Sequence, residues 1–512
     1  MPYRYHYIIA LLILFIGLLG NYAFSASLQV SETSLGMLPT PNIPSNYSIS
    51  PDGKHLAYVS TMDDKQCVVV DGKLGALYDS IEREQFSGVL FNQNGTRYAY
   101  VARRGDQYVA VADGVESEAY DQIPCSDMTF SPDGSHFAYV GYENGHAYVV
   151  HDGVKGKSYR RIIGSGLYGM FSGLRFSNDS EHMLYVAEDI SGKQIVDIDD
   201  RTEGPYLEVL APVFSPDSSH VAYGAKLGNS WHVVYDGVSG KAYQSLFGGK
   251  SAIVFSSDGR HYAYSAKQNG KWTVVVDGQE GESFDSMGMN VLAFGPNNFC
   301  VYTAERGDQC FLVNGGKASK VSYVYDISVS PDKKHLAVRI ACNGKQRKQT
   351  ILYDGKPGSE YDDRGSYDLC FSPDSRRLAY IVRSGEKTLV VVDGVAGKLF
   401  DAITSPLTFS KNSAHLTYIG ENYKDGKYVV LDGKLGKKYD RIANNVTFSP
   451  DGNHLAYIVN SNNTYRLVMD GVESPAYDMI LGDGIAAFDD TALYGFATRG
   501  KEVLRIKIST VK

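Results

Sequence analysis

The chain has 512 residues, of which 43% are hydrophobic and 21% charged, and its 53 glycines suit a turn-rich β protein. Its formal net charge is −8, which argues against nucleic-acid binding, because that function requires a basic stripe. One hydrophobic core for 512 residues would be unusually large, so two domains are the default expectation.

The first 25 residues are typical of a secretory signal. Arg4 gives a weakly positive start, and the apolar stretch from Ile8 to Gly20 is too short for an ordinary membrane span. The small residues Ala23 and Ser25 then offer a cleavage site before Ala26. We therefore expect residues 1–25 to be a signal peptide and the mature chain to be periplasmic or secreted, without a membrane span. A membrane anchor formed by an uncleaved N-terminal segment is the alternative.

From residue 46 onward, the phrase Phe-Ser-Pro-Asp-Gly-x-His-Leu-Ala-Tyr-Val returns about every 40 residues. It is almost complete at Phe130 to Val140 and at Phe448 to Ile458. The Ser-Pro-Asp-Gly part is typical of a type I turn, and the alternating part after it is typical of a strand. A β-branched run with an Asp-Gly turn follows, so each repeat is predicted to hold four antiparallel strands, a to d, as in a propeller blade. Related versions begin at Ile49, Phe91, Phe176, Phe214, Phe255, Phe294, Val329, Phe371, Phe409 and, in faded form, Ala487.

These Ser-Pro-Asp-Gly repeats resemble the TolB-type, WD-like propeller family over residues 46–512. The resemblance implies an all-β propeller fold. Members of that family act as periplasmic partner-binding proteins or as the propeller half of prolyl-oligopeptidase-like enzymes. This chain departs from the common form in its twelve repeats and in its recurring Asp-Gly-x-x-Gly-Lys-x-Tyr-Asp turn.

Twelve four-stranded blades exceed the range of about four to eight that one ring usually holds. We therefore expect two tandem six-bladed propellers, residues 46–288 and residues 289–512. A seven-plus-five division and one large ring are the alternatives. The last repeat lacks a strand d, so we expect the N-terminal segment, residues 26–45, to supply it through Leu28 to Leu38.

Two side chains recur with the repeat, and both are predicted to be structural. An aromatic residue follows the Asp-Gly turn, and we interpret it as packing within and between blades. A histidine follows the first turn, and we expect it to fix that turn by hydrogen bonding. Elsewhere in the mature chain, His146, His151 and His232 have no partner at metal-ligand spacing in the sequence. The recurring residues are the aromatics Tyr78, Tyr120, Tyr159, Tyr206, Tyr243, Phe284, Tyr361, Phe400, Tyr439 and Tyr477, and the histidines His55, His136, His182, His220, His261, His335, His415 and His454.

The sequence contains no recognisable catalytic or cofactor motif. It has no Gly-x-Ser-x-Gly elbow and no Cys-x-x-Cys pair, and Gly-rich stretches such as Gly164 to Gly173 lack the Gly-Lys-Ser/Thr ending of a phosphate loop. Cys67, Cys300, Cys310 and Cys370 fall in predicted strands, where a small buried residue is the commoner role. We therefore predict no catalytic residue, cofactor or metal, and interpret the chain as a non-enzymatic scaffold that binds a protein or peptide partner. The alternative is a carbohydrate-binding or hydrolytic propeller whose site is assembled from loops of several blades.

The loops that differ most between repeats indicate where a partner would bind. The segment from Ile163 to Leu174, interpreted as a d–a loop, carries Tyr168 and Phe171 among glycines. Trp231 and Trp272 open strand c in neighbouring blades, where they would form a stacking surface or, alternatively, pack at the blade rim. We predict that Tyr168, Phe171, Trp231 and Trp272 carry recognition on the face of the first propeller formed by the b–c and d–a loops.

Overall fold

The structure, a computed structural model, describes residues 28–37, 47–83, 88–163, 173–247, 253–288, 292–342, 348–362, 368–482, 487–489 and 492–510. The expected signal peptide therefore lies outside the described residues, as do Tyr168 and Phe171. Within the described ranges the chain is all-β, with 55 strands and two single-turn 3-10 helices, Cys125–Asp127 and Pro296–Asn298. No helix in this part of the chain is long and apolar enough to cross a membrane.

The strands form eleven antiparallel sheets. Ten of them hold one repeat each, and a nine-stranded sheet holds two, joined where Gln349 pairs with Tyr361 and Asp362 with Arg383. The described strands thus form twelve units, numbered here 1 to 12 in chain order, each with its strands in the order a, b, c, d.

Strands b and c are the regular central pair of each unit. Strand b is buried on both faces, as Leu56, Ala57 and Val59 show, because a neighbouring sheet covers each side. The b strands are Leu56–Met62, Tyr98–Arg104, Phe137–Glu143, Met183–Glu188, Val221–Leu227, Tyr262–Gln268, Cys300–Arg306, Leu336–Ala341, Leu378–Ser384, Leu416–Asn422, Leu455–Ser461 and Ala492–Arg499. The c strands are Lys65–Val70, Gln107–Ala112, His146–His151, Gln194–Ile198, Ser230–Tyr235, Lys271–Val276, Gln309–Asn314, Lys348–Tyr353, Lys387–Val392, Gly426–Leu431, Thr464–Met469 and Glu502–Thr510.

Strand d is the exposed outer strand, and in units 1 to 11 it follows strand c through a two-residue turn. Asp71 and Gly72 both have positive φ, 50° and 78°, the conformation of a type I′ hairpin turn, which explains the recurring Asp-Gly pair. The d strands are Lys73–Leu74, Val115–Glu116, Val154–Tyr159, Arg201–Tyr206, Val238–Ser239, Gln279–Phe284, Lys317–Val321, Lys356–Pro357, Val395–Ala396, Lys434–Tyr439, Val472–Glu473 and, in unit 12, Leu28–Met37.

The strands a of neighbouring units lie close together, as Tyr47–Ile49 does with Leu90–Phe91, so this edge of each sheet faces the centre of the assembly. In seven units strand a is interrupted, and both of its pieces pair with the same strand b. The continuous strands are Tyr47–Ile49, Met128–Phe130, Glu208–Phe214, Val324–Val329 and Arg441–Phe448. The interrupted ones are Ser80–Ile81 with Leu90–Phe91, Arg161–Ile163 with Leu174–Phe176, Ser245–Leu246 with Val254–Phe255, Ser286–Met287 with Ala293–Phe294, Tyr361–Asp362 with Leu369–Phe371, Ala402–Ile403 with Thr408–Phe409, and Met479–Leu481 with Ala487–Phe488.

This interruption corrects the assignment of the segment from Ile163 to Leu174 as a d–a loop. Arg161–Ile163 and Leu174–Phe176 both pair with Met183–Glu188, so the segment between them is an insertion within strand a. Its two ends therefore lie at the inner edge of unit 4. The true d–a connection of that unit is the short step from Tyr159 to Arg161.

The hydrophobic packing forms one closed circuit of twelve interfaces. Unit 6 packs on unit 7, through Val274 and Phe294 in one cluster, and unit 12 packs on unit 1, through Phe496 and Leu56 in another. Among the described residues no cluster joins unit 6 to unit 1 or unit 12 to unit 7, contacts that two six-bladed rings need. The prediction of two tandem propellers that divide near residue 288 is therefore wrong for this structure, because the interface after unit 6 is continuous with the others.

The N-terminal strand Leu28–Met37 is the outer strand of unit 12, paired antiparallel with Glu502–Thr510. Glu32 accepts hydrogen bonds from the Tyr477 hydroxyl at 2.7 Å and from the Arg499 guanidinium at 2.9 Å. The two ends of the described chain are thus joined in one sheet.

All six cysteines are free thiols. Cys310 lies opposite Glu305 in its hairpin, so it does not face Cys300. Burial raises the pKa of the Cys300 and Cys370 thiols to about 12, as expected for small buried residues in strands.

Candidate functional site

An aromatic pair fills most of the interfaces between units. At the end of strand d, Tyr120 is 2% exposed, and its ring meets the strand-b ring of Tyr139 edge-on, with centroids 6.0 Å apart. The same arrangement occurs at nine of the twelve interfaces, which confirms the interpretation of these residues as packing. The other eight pairs are Tyr78 with Tyr100, Tyr159 with Tyr185, Tyr206 with Tyr223, Tyr243 with Tyr264, Phe284 with Tyr302, Tyr361 with Tyr380, Phe400 with Tyr418 and Tyr439 with Tyr457.

The interface between units 7 and 8 lacks both rings of this pair. Val321 lies opposite Cys310 at the start of strand c, the position that Tyr159 holds opposite Ala147 in unit 3. Its counterpart in strand b of unit 8 is Val338, where the other pairs have a tyrosine. Two valines thus stand where two large rings pack elsewhere, and space opens between the two sheets.

That space is a cleft of about 800 Å³, called here the 7–8 cleft. Its volume lies within the range of about 300–1,000 Å³ typical of ligand sites. Its floor is apolar, and its rim carries three lysines and two carboxylates. The floor consists of Leu312, Val321, Leu336, Val338, Ile340 and Leu352, and the charged rim of Lys317, Lys320, Lys334, Asp354 and Glu360.

The charged groups of the 7–8 cleft differ in whether they already have a hydrogen-bond or ion-pair partner. The Asp354 carboxylate accepts hydrogen bonds from His335 at 2.8 Å and from the Leu336 main-chain N–H at 2.9 Å. Lys317 and Lys320 are exposed, and neither has an ion-pair partner among the described residues. The cleft therefore offers free positive charge beside an apolar floor.

Two further groups in the 7–8 cleft bear on its chemistry. The side-chain oxygen of Asn314 is buried and accepts no hydrogen bond within the described part of the chain. Burial and the neighbouring Glu360 carboxylate raise the pKa of the Cys342 thiol, which keeps it protonated. The cleft thus holds one buried oxygen without a hydrogen-bond partner, and its cysteine is not an activated nucleophile.

A clamp between the a–b turn and the c–d turn of one sheet explains the recurring histidines. In unit 1, His55 Nδ1 lies 2.7 Å from the Asp71 carboxylate, and Asp71 also accepts the Leu56 main-chain N–H at 3.1 Å. The Ser50 hydroxyl hydrogen bonds to Asp52 and accepts the His55 main-chain N–H. The clamp joins the a–b turn to the c–d turn, which confirms that these histidines fix a turn. The His55 imidazole contacts Asp71 and not the Ser50 hydroxyl. Ser50 and His55 therefore do not form a nucleophile–base pair.

We predict an acid-dependent loss of stability from the first turn of the repeat. Hydrogen bonds from Ser131, from the Ser135 main-chain N–H and from the Ser135 hydroxyl hold the pKa of the Asp133 carboxyl well below its usual range. A depressed folded pKa gives stability that is present above the unfolded value of about 3.9 and is lost as pH falls through the folded value. The urea midpoint of unfolding should therefore fall steeply below about pH 4.

Asparagine provides the matched control for that measurement. Asn412 occupies the same turn position in unit 10 and accepts the Ser410 hydroxyl at 2.6 Å without titrating. Replacing Asp133, Asp179 and Asp217 together by Asn should lower the midpoint at pH 7, because the hydrogen bonds to the charged carboxylates are lost, and should weaken its further loss at low pH. An unchanged acid profile in this variant would contradict the assignment.

The structure places the predicted tryptophans at equivalent positions in units 5 and 6. Trp231 and Trp272 are half-buried, and each lies under a lysine from the facing strand, Lys226 at 5.5 Å and Lys267 at 5.7 Å from the ring centre. No ring contact joins the two tryptophans among the described residues. Their part in recognition, like that of Tyr168 and Phe171, stays a prediction.

Sequence reasoning missed two features that the structure brings out. The 7–8 cleft had a visible signal, because Val321 breaks the series of aromatic residues after the c–d turn. His151 was taken to lack a partner, yet it lies beside His136 and Asp152.

No protein-family model matches the chain, and no curated protein sequence matches it. The chain is similar to a crystal structure of a eukaryotic initiation factor, at 14% identity and a TM-score of 0.38, covering 74% of this chain and 95% of that one. It is also similar to the Dos1 propeller, at 12% identity and a TM-score of 0.29, covering 58% of this chain and 92% of that one. The propeller architecture therefore rests on the sheets and interfaces of this chain itself, and the TolB-type resemblance stays a prediction.

Proposed function

We propose that this protein is an exported, non-enzymatic propeller scaffold that binds a protein or peptide partner, and that the 7–8 cleft receives an aromatic side chain from an acidic segment of that partner. The observation that carries this proposal is the missing aromatic pair at Val321 and Val338. At nine other interfaces the same space is filled by two rings, so its shape complement within this fold is an aromatic side chain.

Charge decides what flanks that aromatic group. Lys317 and Lys320 lie exposed at the rim of the cleft and have no ion-pair partner among the described residues. Carboxylates on either side of a partner's aromatic residue would pair with them, while the ring is buried against Leu312 and Leu352. An aromatic anchor buried in this way contributes about 2 kcal/mol or more to binding.

Export is supported by the sequence alone. The apolar stretch from Ile8 to Gly20, with the small residues that follow it, is typical of a cleaved signal. Of the two roles that the TolB-type resemblance implies, a periplasmic partner-binding protein agrees with that signal, and the propeller half of a prolyl-oligopeptidase-like enzyme is the other. Envelope fractionation of cells that express the full chain tests this part of the proposal, and recovery of the protein in the cytosol would contradict it.

Filling the cleft tests the proposal directly. Val321→Tyr restores the ring that other units have, so it should raise the free energy of unfolding by about 1 kcal/mol. The same variant should weaken binding of a labelled peptide, with one tyrosine between acidic residues, by at least about tenfold. Fluorescence polarisation measures the binding, and urea unfolding measures the stability.

Three controls separate the outcomes. Val238→Tyr adds the same ring at an exposed position of unit 5 and should leave peptide binding unchanged. The double variant Lys317→Glu and Lys320→Glu should weaken binding without loss of stability. A peptide with alanine in place of tyrosine should not bind. If Val321→Tyr binds the acidic tyrosine peptide as well as the unchanged protein does, the cleft is not the site, and the set around Trp231 and Trp272 becomes the next candidate.

A further inference from the structure

One clamp, in unit 3, contains a second imidazole. His136 Nδ1 lies 2.6 Å from Asp152 Oδ2, as in the other clamps, and His151 Nε2 lies 3.6 Å from the same oxygen. The possible ligand atoms of His136, His151 and Asp152 all lie within 4.8 Å of one another. Two imidazoles and a carboxylate therefore converge on one point at the face that carries the a–b and c–d turns.

The His151 nitrogen that faces this point is buried from solvent and has no hydrogen-bond partner among the described residues. At 3.6 Å it is too far from the Asp152 oxygen for a hydrogen bond. A buried imidazole nitrogen without a partner lowers the stability of the protein, and a bound cation that accepts its lone pair would remove that cost.

The second imidazole is peculiar to unit 3. His151 is the last residue of strand c, and in units 5 and 8 that position holds Tyr235 and Tyr353. These tyrosine rings stack on the clamp histidines His220 and His335, with centroids 5.2 Å and 5.5 Å apart. His151 keeps the ring contact with the clamp histidine, at 5.4 Å from His136, and adds a nitrogen donor that a tyrosine ring lacks. Packing alone is thus satisfied by tyrosine.

We propose that His136, His151 and Asp152 form a binding site for a divalent transition-metal ion of the kind that favours imidazole, such as Zn²⁺ or Cu²⁺. Two nitrogens and one carboxylate oxygen suit these ions, whereas Ca²⁺ and Mg²⁺ prefer oxygen ligands alone. The three side chains are between 35% and 43% exposed, which leaves a coordination position open to water or to a group on a partner.

The surroundings of the site suit a bound cation. The main chain next to the site holds the Asp152 carboxylate in place. The Phe137 N–H, 2.9 Å from Asp152 Oδ1, fixes the orientation of the carboxylate, as outer contacts of metal ligands commonly do. The Phe176 ring from unit 4 lies 5.5 Å from the His151 ring and shields one side.

The repeats of this protein supply the substitutions that test the site. His151→Tyr introduces the residue of units 5 and 8, so it should keep the ring contact and the fold. His136→Arg introduces the residue of units 2 and 9, where Arg97 lies 2.7 Å from Asp113 and maintains the clamp. Both variants remove a nitrogen ligand without opening a cavity.

Isothermal titration of the untagged full chain with ZnCl₂, repeated with CuCl₂, measures the site. We expect one ion per chain in the unchanged protein, at least about tenfold weaker binding in each variant, and a rise in unfolding temperature with metal only in the unchanged protein. Circular dichroism and metal-free unfolding of both variants check that they fold.

A gain of binding completes the test. Tyr235→His in the His151→Tyr background should create a second imidazole beside His220 and Asp236 in unit 5 and restore binding of one ion. If the unchanged protein binds no ion, or if both ligand variants bind as tightly as it does, the proposal is overturned.

Discussion

Replacing Tyr120 by alanine is expected to lower the free energy of unfolding by about 3–5 kcal/mol, the range for removing a large buried aromatic residue. The Tyr120 ring is 2% exposed and lies between units 2 and 3, against the ring of Tyr139. It covers Gly141, where an added Cβ would lie 2.5 Å from a ring carbon. Urea unfolding at neutral pH measures the effect.

Two substitutions at the same interface sharpen the result. Tyr120→Phe keeps the ring and should cost about 1 kcal/mol or less. Gly141→Ala should destabilise the protein as well, because the ring of Tyr120 has no room to move aside from the new methyl group. Val321→Ala, at the interface without rings, removes a smaller side chain and should cost clearly less than Tyr120→Ala. Equal losses for Tyr120→Ala and Tyr120→Phe would show that the ring does not hold the units together.

The features that the sequence predicted well depend on local or nearest-neighbour chemistry. The Asp-Gly turn follows from the positive φ of two adjacent residues, as Asp71 and Gly72 show. The role of the clamp histidines follows from the fixed spacing between two turns of one sheet, because His55 and Asp71 recur together. The repeat period, the turn residues and the alternation of apolar residues were sufficient to predict the turns and strands within each unit.

The number of rings depends on information that the repeat does not contain. Two six-bladed rings and one twelve-bladed ring share every neighbour contact except those that involve the ends of the sixth and twelfth units. The pair of Phe284 and Tyr302 between units 6 and 7 is of the same kind as the pairs elsewhere. A sequence with the same contact residues at each interface gives no sign of where a ring would close, so the choice rested on the usual blade number.

The 7–8 cleft and the cluster in unit 3 follow from the sequence only in part, for different physical reasons. The 7–8 cleft forms because two aromatic residues are missing together, with Val321 in unit 7 and Val338 in unit 8 in their places. That these two positions face each other depends on the packing of the two sheets. The cluster in unit 3 depends on hairpin register. Ala138 pairs with His151, which brings the end of strand c next to His136, fifteen positions earlier in the sequence. Spacing along the chain does not reveal that proximity.

Removing the strand Leu28–Met37 is expected to destabilise the protein by roughly 5 kcal/mol or more, because several kinds of contact are lost together. Leu28 and Val30 pack on the core between units 11 and 12, and Leu35 packs between units 12 and 1. Glu32 holds both Tyr477 and Arg499 by hydrogen bonds. The loss also leaves Glu502–Thr510 as an unpaired edge, which favours aggregation.

Hydrogen exchange on a chain that starts after Met37 shows which strands lose protection. In one closed ring, the interface between units 12 and 1 opens, so amides in Leu56–Met62 should lose protection together with those in Ala492–Arg499. Strand Tyr262–Gln268 belongs to unit 6, on the far side of the circuit from the interface between units 12 and 1, and should keep more of its protection. A separate peptide with the sequence of residues 28–37 should restore protection at both ends, since it supplies the same strand. Loss confined to unit 12, with Leu56–Met62 unaffected, would contradict the closed circuit and favour separate rings.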